Sequence, residues 1–66
     1  MSDREKLDNL KAMLDTLIST CQSEILISDK LIKNAKSSSD KNKELREKIF
    51  WQGKLEVAEY VKYFLY

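Results

Sequence analysis

The chain has 66 residues, 35% of them charged, and a net charge of +1; this leaves room for one domain and excludes the one-signed surface that draws bulk nucleic acid or a membrane by net charge. A single Cys, no His and no Cys-x-x-Cys pair exclude a disulfide framework and most metal sites. A core this small, burying only about 60% of the unfolded surface, is therefore expected to gain further stability by oligomerisation.

One Gly and no Pro leave almost no helix breakers, so the predicted class is all-α. Ser2 and Glu5 fit a capping box, and the first helix is expected to run from about residue 3 to about residue 36. Along it Leu7, Leu10, Leu14, Leu17, Ile18, Cys21, Ile25, Ser28, Ile32 and Ala35 recur at helical spacing, a stripe that must face another helix. The step from Cys21 to Ile25 reads as a four-residue insertion in the heptad, a stutter, which predicts a nearly straight helix rather than a regular coiled coil. Asp8, Lys11, Asp15, Gln22, Asp29 and Lys33 form a mixed-charge face that reads as solvated. Met13, Leu26, Ile27 and Leu31 make an apolar shoulder beside the stripe. Ser28 reads as a small residue bonded back to its own helix, and Cys21 as a small hydrophobe.

Ser37, Ser38 and Ser39 open a run of turn formers without an apolar residue, the expected loop, with Ser39 or Asp40 capping the second helix. A connection this short makes the two helices antiparallel neighbours. The second helix is predicted over about 40–65 and carries all six aromatic residues. Its face with Ile49, Phe50, Gly53, Val57, Tyr60, Val61 and Phe64 is expected to pack on the first helix. Trp51, Leu55, Ala58 and Leu65, at helical spacing on another side, would then be surplus. Gly53 costs about 1 kcal/mol relative to Ala inside a helix, so it either permits close approach of a neighbour or ends one helix at Lys54. Residues 55–66 also alternate as a strand would, but the helical spacing of Val57, Tyr60, Val61 and Phe64 decides against it.

The expected whole is one domain over 1–66, an antiparallel two-helix hairpin that dimerises with two-fold symmetry into a four-helix bundle. The first two turns of the longer helix overhang its neighbour, which would leave Leu7 and Leu10 exposed until a partner covers them. The predicted protein-binding residues are Leu7, Leu10, Trp51, Leu55, Ala58, Leu65 and Tyr66, because interface energy concentrates in Trp and Tyr. No pattern for catalysis, a cofactor or a metal is present, so a non-enzymatic regulator or inhibitor acting by protein–protein binding is expected. The alternative is a dimeric hairpin that binds RNA or DNA through the basic loop end, with Lys33, Lys36, Lys41, Lys43 and Arg46 on phosphates. Acids interleave there and no aromatic is placed to stack on a base. The aromatic run Tyr60 to Tyr66 would suit a membrane interface, but Glu56 and Glu59 share its polar face. Nothing spans a bilayer or reads as a secretory signal, so a cytoplasmic protein without a membrane partner is expected. Its Lys, Asn and Ile usage suits an AT-rich coding sequence, such as that of a low-GC bacterium or its phage.

Overall fold

The computed structural model describes residues 2–66; Met1, with which the single expected domain begins, lies outside the described residues. Two helices, α1 (Asp3–Asn34) and α2 (Ser38–Leu65), pack side by side into a rod of 52 × 15 × 15 Å. There is no strand among the described residues, and α2 runs through Gly53 without a break or a positive φ. The strand and broken-helix readings of the C-terminal third therefore do not hold. Leu55, Ala58, Lys62 and Leu65, half-buried or buried at helical spacing, bury one stripe of this segment only if it stays helical.

Each helix starts on a serine. Ser2 Oγ accepts from the Glu5 N–H at 3.2 Å, and Ser37 Oγ accepts from the Asp40 N–H at 3.1 Å. The cap of α2 is thus Ser37 rather than Ser39 or Asp40, and the link between the helices is Ala35 to Ser37. Ser37 lies three residues before Asp40, the spacing at which a cap oxygen reaches an otherwise unpaired N–H of the first turn. α1 ends two residues earlier than its composition suggests, with Ala35 extended and its N–H donating to Ile32 O.

The packed seam of α1 is Lys11, Leu14, Ile18, Cys21, Ile25, Ser28, Ile32 and Ala35, each half-buried or buried. This is an unbroken 3-4 repeat. The stutter read at the step from Cys21 to Ile25 dissolves because Leu17, counted before Cys21 in the stripe, leans to the edge of the seam and Ile18 occupies its place. Lys11, expected on the wet face, lies along the seam with its ammonium 5.0 Å from the Tyr66 ring centroid.

The matching seam of α2 is Glu44, Lys48, Trp51, Leu55, Ala58, Lys62 and Leu65, again 3-4 spaced. Two ion pairs fix the register, Asp15 with Lys62 at 3.1 Å and Asp29 with Lys48 at 2.6 Å. In that register Ile18 lies level with Ala58, Cys21 with Leu55, Ile25 with Trp51 and Ser28 with Lys48. A small residue faces a large one at Ile18 and Ala58, at Cys21 and Leu55 and at Ser28 and Lys48, and the half-buried Lys48 and Lys62 send their ammonium groups out to Asp29 and Asp15. Cys21 and Ala58, at 0% and 2% exposure, are the most enclosed side chains of this seam.

The face of α2 that the sequence assigned to α1 therefore points outward. Ile49, Val57 and Phe64 are 65%, 63% and 68% exposed. Packing Phe50, Tyr60 and Phe64 against Leu14, Ile18 and Ile25 would set large on large at every level, where the observed seam does so only at Trp51 and Ile25. The smaller face carrying Ala58 wins, though it holds fewer aromatics.

Candidate protein-binding surface

The two long sides of the hairpin differ in chemistry because each helix repeats every seven residues. On one side stand Asp15 and Asp29 of α1, two heptads apart, opposite Lys62 and Lys48 of α2 at the same separation. Tyr66 closes this side: its hydroxyl donates to Asp15 Oδ2 at 2.9 Å and to Lys11 O at 3.4 Å, under the ammonium groups of Lys11 and Lys62. The hydrogen bond from Lys62, followed by that from Tyr66, holds the Asp15 carboxyl below its ordinary 3.8. Partial desolvation, followed by donation to Asp15, pushes the Tyr66 phenol above 10.0. The charged groups facing each other here are already paired within the chain.

The other side is apolar. Leu10, Met13 and Leu17 of α1 run beside Val57, Val61 and Phe64 of α2, all of them exposed. Between them lies an open groove lined by Leu14, Leu17, Gly53, Val57, Ala58 and Val61, with Lys54 at its rim. A second recess continues it along Met13, Thr16, Leu17, Thr20 and Trp51. Lys54 lies over the rings of Phe50 and Trp51 at 4.6 and 4.9 Å from their centroids, so the one charge in the groove is held against aromatic faces. The rings themselves meet edge to face, Phe50 with Trp51 at 5.4 Å and Tyr60 with Phe64 at 4.9 Å, which stiffens the exposed stripe.

The residues predicted to bind a partner are distributed differently from expectation. Leu7 and Leu10 are 38% and 43% exposed, on the turns of α1 that extend past Tyr66, the C-cap of α2, which reaches Lys11. Trp51, Leu55 and Leu65 are half-buried and Ala58 is buried in the intrachain seam, while Tyr66 is bonded to Asp15. Trp51, Leu55, Ala58 and Leu65 thus lie along α1, while Tyr66 stays 59% exposed. The more exposed apolar set of α2 is the one the sequence had assigned to the hairpin contact. One signal could have found this: the equal fourteen-residue separations of Asp15 from Asp29 and Lys48 from Lys62.

At the loop end Lys33, Lys36, Lys41, Lys43 and Arg46 are exposed. Lys36 and Lys43 line a shallow recess together with Asp40 and Glu44, so the positive charge there is divided by acids. Among the described residues no three His, Cys, Asp or Glu side chains converge as metal ligands would, and no helix is long and apolar enough to cross a membrane.

Compared with known proteins, the chain matches no protein family, no curated protein and no solved structure. Fold and surface together define its class as an antiparallel α-helical hairpin with two interhelical ion pairs along one side and an open apolar groove along the other.

Proposed function

We propose that the chain is a non-enzymatic regulator or inhibitor that works by laying its apolar side against another protein surface. The first such surface is a second copy, giving a two-fold dimer arranged as a four-helix bundle. The observation that carries this reading is the continuous apolar side running from Met13 and Leu17 across the groove to Val61 and Phe64. Scattered surface leucines need no explanation, but a contiguous apolar patch of this extent on a small protein marks an interaction site. Its aromatic content suits that role, since large rigid rings bring contact area at little entropic cost.

Area supports the same conclusion. The hairpin exposes 5359 Å², whereas a compact monomer of 7.8 kDa is expected to expose about 4,400 Å². The excess of about 1,000 Å² is comparable to the roughly 800 Å² that each partner buries in a specific interface.

Size-exclusion chromatography with light scattering tests this. The expected mass is twice 7.8 kDa at micromolar concentration, falling toward the monomer on dilution. A single copy at every concentration would refute the dimeric bundle.

A further inference from the structure

We infer that the covering copy seats on the outward stripe of α2 centred on Gly53, and that Gly53 is the point of closest approach between the two chains. This deepens the dimer reading above and rests on it. Gly53 lies inside a continuous helix, where glycine costs about 1 kcal/mol relative to alanine, yet nothing within the chain requires it. A Cβ built there would meet no atom within 4 Å, and its φ is not positive. The hairpin alone would therefore be better served by alanine.

Around Gly53 the stripe has its own heptad rhythm. Phe50, Gly53, Val57, Tyr60 and Phe64 succeed one another at steps of three, four, three and four, the spacing of a helix-pairing seam. All of the large ones are more than half exposed. A glycine in the middle of such a row lowers the ridge where a second helix would cross, so the backbones can close up and the flanking rings can seat on either side.

Self-complementarity selects a second copy as the occupant. Val57 of the exposed row Phe50, Val57 and Phe64 forms one wall of the groove, whose other lining includes Leu14, Leu17 and Ala58. In a two-fold contact the ridge of each chain faces the groove of the other. Ridge and groove also run side by side along the same stretch of α2, and the excess exposed surface matches one side of such a contact.

The test compares wild type with Gly53→Gln, Val57→Glu and, on the polar side, Gln52→Leu, by sedimentation equilibrium up to about 100 μM, with helical content by circular dichroism. Gln is a better helix former than Gly and has open space here, so Gly53→Gln should keep or raise helicity. Its dimer dissociation constant, like that of Val57→Glu, should rise at least about tenfold, while Gln52→Leu leaves it unchanged. Wild type dimeric and Gly53→Gln equally dimeric would overturn the inference while the dimer reading stands. Wild type monomeric throughout would overturn both.

Discussion

Asp15 is held by both Lys62 and Tyr66, and these contacts make a pH prediction with a definite sign. Its folded value lies below the ordinary 3.8 because Lys62 and then Tyr66 hydrogen-bond the charged form. The contribution is therefore present above 3.8 and is lost as pH falls through the lowered folded value. Tyr66 is raised above 10.0, so its contribution is present below that value and is lost as pH rises through the raised one. Asp15→Asn should melt below wild type near neutrality, and the gap should close in strongly acid solution. A gap in thermal midpoint that stays constant into acid would refute the assignment. None of this is legible in the residues alone: Asp15 reads as solvated because a carboxylate on a polar face carries no mark of the lysine that a register will bring to it.

At the scale of the elements, the decisive fact is which face of α2 meets α1. Both faces carry helical apolar spacing, and counting aromatics favours the wrong one. Volume complementarity favours the right one, with Ala58 level with Ile18 and Cys21 level with Leu55. Ala58→Leu should overfill this seam and cost about 2 kcal/mol, a fall of roughly 10 °C in Tm for a domain of this size. Val57→Ala, one residue away on the outward face, should leave the Tm of the dilute chain nearly unchanged. Thermal melts at low concentration decide the matter, since the opposite ranking would restore the face assignment read from composition. Helix existence, the cap at Ser2 and the antiparallel turn were legible, because capping and breaker chemistry are local.

For the whole molecule, surface is the governing quantity. A rod 15 Å across built from two helices buries one stripe of each and leaves the flanks wet, and here one flank is apolar. Association couples to folding by mass action, so Tm should climb as the chain concentration is raised over about a hundredfold range. Calorimetry or dichroism melts across that range measure it, and a flat Tm would mean that the apolar side is not covered by a second copy. The overhang of α1 belongs to this scale as well. Leu7 and Leu10 lie beyond Tyr66 along the rod and stay 38% and 43% exposed.

What the sequence by itself determined is the class, the two helices, their polarity and the presence of more apolar surface than two helices can hide. Those come from periodicity, from caps and from a chain with one Gly and no Pro. Only the tertiary structure decided which apolar face is spent inside the hairpin and which is left outside. Rotating α2 about its axis exchanges two faces that both carry helical apolar spacing. The choice is made by how side-chain volumes interlock with α1 and by the reach of Lys48 and Lys62 to Asp29 and Asp15, which exist only once the two helices are side by side.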